Sequence, residues 1–386
     1  MIYLDYAAAT PVSKQVRAAM APFFSDNFFN PSAPYLPAKR VREIYEAAKD
    51  QLAHTIGAKG NDLIITAGAT ESINLAFTAA PANSRILILA TEHAAVRAAA
   101  YRTSQPVTEI KVNRDGLIDL QDFKNQLRAD VSFVSISLAN NELGTIQPIA
   151  EITELIRAER QTRLKNQHPL PIFFHSDASQ ALHLLDINVA RLGVDLLTIN
   201  AAKVYGPKGV GALYCSHDAA LQPIVVGGGQ ERGLRSGTEN VPGLIGFAAA
   251  AKFAKAHLSS NRQKYLELIK IFRAELQNAR VKPIFLGTSK HQLANFCPVS
   301  FPGLDAERLI YLLEDQEIYL ATGAACAASK GEKSPVLTAI GLNDSEIAGS
   351  LRISLGQANS PEDIHAAATA IVAAVNLELK RLEESA

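Results

Sequence analysis

The chain has 386 residues, of which 48% are hydrophobic and 20% charged, and its formal net charge is zero. The apolar content is enough for a globular core, and the length predicts two or more domains. The balanced charge gives no basic excess to attract nucleic acid and no acidic tail to attract a basic partner. A nucleic acid is therefore not expected as a partner.

The three cysteines, Cys215, Cys297 and Cys326, are widely spaced and form neither a CxxC pair nor a Cys/His cluster. This spacing argues against a disulfide framework and a metal centre, and it favours a reducing compartment. Residues 1–6 lack the basic and apolar regions of a signal peptide. No apolar run approaches the ~20 residues that cross a bilayer. We therefore expect a cytoplasmic protein without a membrane partner.

Between residues 60 and 215, short apolar runs alternate with helical stretches, and each run ends in polar or small residues. Unbroken apolar runs are typical of strands that are buried on both faces. Their alternation with helices predicts βαβ units, a mainly parallel sheet and hence an α/β fold. The predicted strands are residues 63–66, 85–89, 131–138, 172–175, 196–199 and 211–214.

A second region begins near residue 255, and its mixture of helical and strand-like patterns predicts a smaller α+β domain. This domain contains Arg352 and the segment around Cys326. The predicted elements are helices at 262–279, 305–315 and 361–384 and strands at 283–285 and 299–301.

Polar side chains follow five of the predicted strands. In open α/β sheets, ligands bind beyond the carboxyl ends of the strands. The topology therefore predicts that these side chains meet on one rim, although they span more than a hundred residues. They are Thr70, His93, Asn141, Asp177 and Lys203.

Several of these residues have a structural alternative. Ala69 and Thr70 open a helix after a strand, where backbone N–H groups suit a phosphate, but a simple capped turn has the same pattern. Asp177 either caps the following helix or pairs with a cationic ring nitrogen, because a buried Asp needs a partner. His93 is either a functional imidazole or only the first residue of a helix.

Lys203 lies at a strand end behind Ala201 and Ala202, whose small side chains leave room for a flat cofactor. A desolvated lysine with a lowered pKa can form a Schiff base. Lys208 is the rival, but it lies in a Pro/Gly turn and is predicted to point to solvent. Lys203 is therefore the predicted cofactor lysine.

Two further segments suggest anion binding. Residues 227–240 are rich in glycine, contain two arginines and end in hydroxyl groups, which predicts an ordered loop rather than a flexible linker. Arg352 lies in a short apolar strand. It is either a surface residue of an edge strand or a bidentate clamp on a carboxylate.

Cys326 lies in a run of Gly, Ala and Ser that is followed by Lys330 and Lys333. The small residues predict a loop, and the nearby positive charge favours the thiolate. This pattern indicates a reactive thiol, although a free cysteine is more often a buried hydrophobe. Cys215 and Cys297 stand in strand-like apolar contexts and are predicted to be structural.

Together these segments resemble the cysteine desulfurases, within the class V aminotransferase-like enzymes of PLP fold type I. The resemblance runs from residues 4–11 to residues 352–356. It implies a large domain at 13–255, with a mainly parallel seven-stranded sheet, and a small α+β domain at 1–12 and 256–386. Its most specific motifs are residues 68–72, 91–93, 140–144, 177–180, 203–209 and 232–238 and the segment around Cys326.

The resemblance implies how the cofactor, pyridoxal 5'-phosphate (PLP), is held. Lys203 carries PLP as a Schiff base, and His93 stacks on the ring and assists proton transfer. Asp177 keeps the ring nitrogen protonated, which makes the ring an electron sink. Gln180 and Asn141 form hydrogen bonds near the ring hydroxyl.

The same resemblance implies that Ala69 and Thr70 bind the phosphate group. It also implies that Thr238 of a second subunit contributes to this site, so a homodimer is expected. The family usually has a Ser-x-His triplet before the lysine, whose hydroxyl and imidazole groups help to bind phosphate. This chain has Asn200 at the first of these positions and Ala202 at the third. Asn200 is still expected to donate to the phosphate, whereas the side chain of Ala202 cannot.

The implied reaction is the removal of sulfur from L-cysteine. Arg352, with Asn141, binds the substrate, and Lys203 removes its α-proton. The Cys326 thiolate attacks the substrate sulfur, which leaves a persulfide on Cys326 and releases alanine. The persulfide suits transfer to an acceptor protein, in iron–sulfur cluster assembly or tRNA thiolation, and the sequence does not identify that acceptor.

Two alternatives to this function remain at the level of sequence. Another PLP enzyme of the same fold, such as an aminotransferase or a selenocysteine lyase, would not need a nucleophilic cysteine in the 320–330 segment. A degenerate paralogue that acts only as a binding partner is suggested by Ala202. Against it stand the intact Lys203, Asp177, His93, Arg352 and Cys326.

Overall fold

The computed structural model describes residues 1–323 and 333–385, so the predicted nucleophile Cys326 lies outside the described residues. Strands and helices alternate through most of the described chain. The strands are β1 (Ile2–Tyr3), β2 (Leu63–Thr66), β3 (Arg85–Leu89), β4 (Val107–Ile110), β5 (Val131–Ser135), β6 (Phe173–Asp177), β7 (Leu196–Asn200), β8 (Gly211–Cys215), β9 (Ile284–Phe285), β10 (Val299–Ser300), β11 (Ile318–Tyr319), β12 (Ala321–Thr322) and β13 (Ser350–Arg352).

The helices before residue 257 pack against strands of the group β2 to β8 and one another, and the remaining ones pack mainly against the later strands and one another. They are α1 (Lys14–Met20), α2 (Pro22–Ser25), α3 (Leu36–Thr55), α4 (Ala69–Phe77), α5 (Ala94–Arg102), α6 (Leu120–Gln126), α7 (Ile149–Lys165), α8 (Val189–Leu192), α9 (Val241–Ala256), α10 (Leu258–Leu276), α11 (Ala306–Glu314), α12 (Pro335–Ala339), α13 (Asp344–Ala348) and α14 (Pro361–Ser385).

The central sheet has seven strands in the order β2-β8-β7-β6-β5-β3-β4. Strand β8 runs antiparallel to both of its neighbours, and the other neighbouring pairs are parallel. The prediction of an α/β fold with a mainly parallel sheet is confirmed. Strand β4 was not predicted, because two polar residues interrupt its sequence Val-Thr-Glu-Ile, which is only partly buried at the edge of the sheet.

The later strands form a separate four-stranded sheet in the order β12-β13-β10-β9, in which neighbouring strands are antiparallel. The amino-terminal residues join this part of the chain. Strand β1 pairs with β11, and Asp5 forms an isolated bridge with Ser354 beyond the end of β13. Residues from the two ends of the chain therefore lie side by side next to the main sheet.

Cys215 and Cys297 are both buried, as expected for structural cysteines. Burial raises the pKa of the Cys215 thiol to about 11 and also raises that of Cys297. Both thiols are therefore protonated at neutral pH. Within residues 1–323 and 333–385, no helix combines the length and the apolar character that crossing a membrane requires.

Candidate active site

A cleft of about 980 Å³ opens where the parallel strands end. Asp177 is the last residue of β6, and Asn200 is the last residue of β7. Arg352 is the last residue of β13, and most other residues of the cleft come from loops and helix starts that follow strands of the central sheet. Those predicted from the sequence to serve a site here are Ala69, Thr70, His93, Asn141, Asp177, Gln180, Asn200, Lys203 and Arg352.

One end of the cleft is formed by the tight turn between β2 and α4. Gly68 has φ 149°, a conformation that side chains disfavour. A Cβ on Gly211, the first residue of β8, would lie 2.8 Å from the Gly68 backbone. Glycine at position 211 therefore allows the turn after β2 to lie close to β8. The turn presents the free N–H groups of the α4 N-terminus, together with Thr70, to the cleft.

Lys203 lies at the floor of the cleft, at the end of a single 3-10 turn after β7. Its Nζ donates to the carbonyl oxygen of Ala7 over 2.8 Å and also to that of Ala8. Gln180 Nε2 donates to the same Ala7 carbonyl over 3.0 Å. The amino-terminal segment is thus part of the site, a role that the sequence analysis missed because backbone carbonyls leave no residue-type signal.

Asp177 and His93 are held in fixed orientations. Asp177 Oδ1 accepts hydrogen bonds from the Ser179 N–H at 2.9 Å and from the Ser179 hydroxyl at 2.6 Å. His93 caps α5, and its Nδ1 accepts from the Ala95 N–H over 3.1 Å. The proton of the neutral ring therefore sits on Nε2. Burial lowers the pKa of His93 and outweighs the opposing effect of Asp177, so the imidazole is uncharged at neutral pH.

Arg352 reaches the cleft from β13 and forms an ion pair with Asp5. Its Nη2 donates to Asp5 Oδ1 over 2.8 Å, and its Nη1 approaches the Asn141 carbonyl at 3.4 Å. Arg352 is therefore not a solvent-facing residue of an edge strand. Asp5 was not identified from the sequence, although a carboxylate in the otherwise uncharged amino-terminal segment is a signal that points to it.

Behind the cleft, Glu92 connects two of the strand-end loops. Its carboxylate accepts from the Ser137 N–H over 2.6 Å and also from the Ser137 hydroxyl. Burial raises the pKa of Glu92 to about 8. Asn140 Nδ2 also donates to the Thr91 carbonyl over 2.8 Å. These contacts fix the loop that contains His93 against the loop that contains Asn141.

Thr238 does not line this cleft. It borders a separate cavity of about 180 Å³, next to Thr66 and Arg235. Arg235 Nε donates to Glu71 Oε1 over 2.9 Å, and Glu71 lies in the first turn of α4. Lys208 is an exposed residue whose Nζ donates to the Thr10 carbonyl over 2.7 Å.

The loop that ends at Thr238 is anchored by Glu231. This carboxylate accepts from the Tyr45 hydroxyl and from Lys49 Nζ, each at 2.6 Å, and from the Ile65 N–H at 3.0 Å. Glu231 and Arg232 have φ values of 48° and 60°, which residues with side chains rarely adopt. The buried carboxylate therefore holds the loop in a strained conformation.

Comparison with known proteins agrees with this arrangement. Residues 2–366 match the aminotransferase class-V family. The chain is 36% identical to cysteine desulfurase IscS of Dictyoglomus turgidum, with 94% of this chain and 92% of the relative covered. It is 37% identical to cysteine desulfurase IscS of Methanosarcina thermophila, with 94% and 89% covered.

Two solved structures are similar over most of their length. A NifS-like protein superposes with a TM-score of 0.88 at 30% identity, covering 97% of this chain and 99% of that protein. SspA in complex with cysteine superposes with a TM-score of 0.77 at 31% identity, covering 92% and 99%. The likeness therefore includes the central sheet and the later four-stranded sheet.

Proposed function

We propose which residues of this chain remove sulfur from L-cysteine. The chain belongs to the aminotransferase class-V family and is a PLP-dependent cysteine desulfurase. The observation that carries the proposal is the convergence of Thr70, Asp177, Lys203 and Arg352 on one cleft. These residues supply an anion site, a buried carboxylate, an amine and a second anion site. That set of groups in one cleft suits a phosphorylated pyridine ring with an amino acid beside it.

The residues of the cleft fit PLP. The N-terminus of α4 and the Thr70 hydroxyl would bind the phosphate. Asp177, oriented by Ser179, would pair with the protonated ring nitrogen, and Lys203 would form the Schiff base. When bound, PLP supplies an electron sink for the substrate's α-carbon. Asn200 Oδ1 accepts from the Ala202 N–H over 3.2 Å, which leaves the Asn200 Nδ2 group for the phosphate.

The chain's own residues then handle the substrate and its protons. Arg352 binds the α-carboxylate of L-cysteine through charge-assisted hydrogen bonds. Lys203 Nζ takes the α-proton, and the Ala7 and Ala8 carbonyls accept hydrogen bonds from the resulting ammonium. The neutral His93 provides its Nε2–H without adding a positive charge next to Lys203.

Cys326 is the proposed nucleophile. Its thiolate forms a bond to the substrate sulfur, and the substrate C–S bond breaks with its electron pair left on the β-carbon. Uptake of a proton at that carbon gives alanine, and the sulfur remains on Cys326 as a persulfide. Cys215 and Cys297 are unsuited to this step, because both are buried and burial raises both thiol pKa values. The persulfide is then passed to an acceptor protein, in iron–sulfur cluster assembly or tRNA thiolation.

We also propose that the active unit is a homodimer. Large apolar side chains are exposed on α2, on α3 and on the segment between them. This surface adjoins the Thr238 loop, because Arg42 of α3 forms an ion pair with Glu239 at 2.5 Å. A second copy that covers this surface would bring its Thr238 to the phosphate of the first. The exposed side chains are Phe24, Phe28, Tyr35 and Leu36.

The test of this proposal is product analysis with the PLP-loaded protein. L-Cysteine should yield equal amounts of alanine and of sulfur that a thiol reductant releases as sulfide. Arg352→Lys should raise the KM for cysteine far more than it lowers kcat. Dilution below the dimer dissociation constant should release PLP. Alanine formed without released sulfur, or a monomer that retains PLP and activity, would contradict the respective assignments.

A further inference from the structure

Asp5 is held in place next to Arg352 by several backbone contacts. It forms a bridge with Ser354, two residues beyond Arg352 in the chain. The Tyr3 hydroxyl donates to the Asp5 carbonyl over 2.8 Å. The Ser354 N–H donates to the Leu4 carbonyl over 2.8 Å. The backbone at Asp5 is therefore fixed by the fold beside the strand that carries Arg352.

The ion pair between Asp5 and Arg352 is nearly enclosed, since their side chains are 16% and 8% exposed. Asp5 uses one oxygen and one N–H of Arg352 Nη2, at 2.8 Å. A guanidinium has five N–H donors. The buried Nε has no hydrogen-bond partner among the described residues. Arg352 can therefore bind a second carboxylate while Asp5 remains in place, and both residues line the cleft.

We propose that Asp5 determines the charge selectivity of the substrate site: it stays paired with Arg352 when the amino acid binds and disfavours amino acids whose side chains are anionic. This inference rests on the proposed role of Arg352 as the carboxylate clamp. A clamp without Asp5 would have a full positive charge and would attract any anion. With Asp5, the pair is close to neutral, so the substrate carboxylate is bound by hydrogen-bond geometry and not by net charge.

The presence or absence of the Asp5 charge affects how tightly amino acids with charged side chains bind. The α-carboxylate is attached directly to Arg352, so it gains most from the hydrogen bonds. A second carboxylate on the same molecule lies a few ångströms further away and is repelled by Asp5. In a partly dehydrated cleft, one unit charge at such a distance corresponds to a selectivity on the order of tenfold. Cysteine with a neutral thiol side chain avoids this repulsion.

The experiment compares L-asparagine with L-aspartate, two amino acids that differ in one charge at nearly equal size. Their dissociation constants are measured for the PLP-loaded protein from the change in cofactor absorbance. The wild type should bind asparagine more tightly than aspartate. In Asp5→Asn the ratio of the two constants should shift toward aspartate by about tenfold. Asp5→Glu should restore most of the wild-type preference.

Asp186→Asn is the matched control, because Asp186 is exposed and its side chain pairs with Arg191 away from the cleft. It removes the same charge and should leave the ratio unchanged. An unchanged ratio in Asp5→Asn would overturn the proposal, as would loss of binding of both amino acids that Asp5→Glu does not recover. Failure of the proposed function would look different: the wild type itself would make no alanine from cysteine.

Discussion

The hydroxyl group of Ser334 donates a 2.6 Å hydrogen bond to the carboxyl group of Glu142. Ser334 caps α12, whereas Glu142 follows the cleft residue Asn141, so this bond joins the loop that contains Asn141 to a later helix. Burial raises the pKa of Glu142 to about 7, against weaker opposing effects of the Ser334 hydrogen bond and of the Arg352 charge. The folded protein therefore binds a proton here that the unfolded chain, with an ordinary pKa of 4.5, releases.

Glu142→Gln should change how stability depends on pH. Because the folded pKa is raised, the wild type is favoured below the unfolded pKa and loses stability as the pH rises through about 7. The free energy of unfolding falls by about 3 kcal/mol at most through this titration. The variant lacks this titration but keeps an acceptor for Ser334. Urea unfolding should therefore show that the stability of the variant, relative to wild type, is higher at pH 8 than at pH 5. The same difference in unfolding free energy at both pH values would contradict this.

Glu231→Gln should destabilise the protein strongly. The exchange leaves the Lys49 ammonium buried without its anion, since the two side chains are only 7% and 5% exposed. Breaking a buried ion pair on one side costs roughly 3–5 kcal/mol. Glu46→Gln is the control, because its pair with Arg42 is exposed and is worth less than about 1 kcal/mol. Equal urea midpoints for the two variants would refute the anchoring role of Glu231.

Lys203→Ala should abolish the Schiff-base absorbance of PLP and all turnover, whereas Lys208→Ala should retain the absorbance. Lys203 Nζ lies within the cleft beside the Ala7 carbonyl. Lys208 also borders the cleft, but it is exposed and its Nζ donates to the Thr10 carbonyl. The measurement is a visible spectrum of each purified variant after PLP addition. Normal absorbance in Lys203→Ala would show that another lysine holds the cofactor.

Much of the fold was predictable from the sequence because buried parallel strands are unbroken apolar runs. The strands at 85–89 and 196–199 were found in this way, and the structure extends the second only to Asn200. Strand β4 was not predicted from the sequence, because an edge strand needs fewer apolar residues. The rule that ligands bind beyond strand ends also brought Thr70 and Asp177 together correctly.

The remainder of the site depends on contacts that no local pattern encodes. Ala7 and Ala8 act through carbonyl oxygens, so their side chains give no indication of a role. Asp5 meets Arg352 only because β1 is paired with a strand more than three hundred residues later. Thr238 borders a separate cavity within its own chain, so its predicted role at the phosphate requires the proposed second subunit.

Ala202→His should tighten PLP binding. The family's imidazole at this position donates to the phosphate, and a hydrogen bond to a charged group is worth roughly 1.5–3 kcal/mol. This corresponds to about a tenfold to hundredfold lower dissociation constant for PLP. Fluorescence titration of the apoprotein with PLP measures this dissociation constant. Asn200→Ala should weaken binding in the same assay, and an unaltered constant in Ala202→His would mean that Asn200 already completes the site.

The most direct test of the account is a single turnover of L-cysteine by the PLP-loaded wild type and by Cys326→Ser, with Cys215→Ser and Cys297→Ser as controls. Rapid quenching measures alanine, and mass spectrometry locates the added sulfur of about 32 Da. We predict that the wild type and both controls form alanine together with a persulfide on Cys326. Cys326→Ser should bind PLP and cysteine but release no alanine, because a hydroxyl is a far poorer nucleophile than a thiolate. Alanine formation by Cys326→Ser at the wild-type rate, or a persulfide on Cys215 or Cys297, would contradict the account.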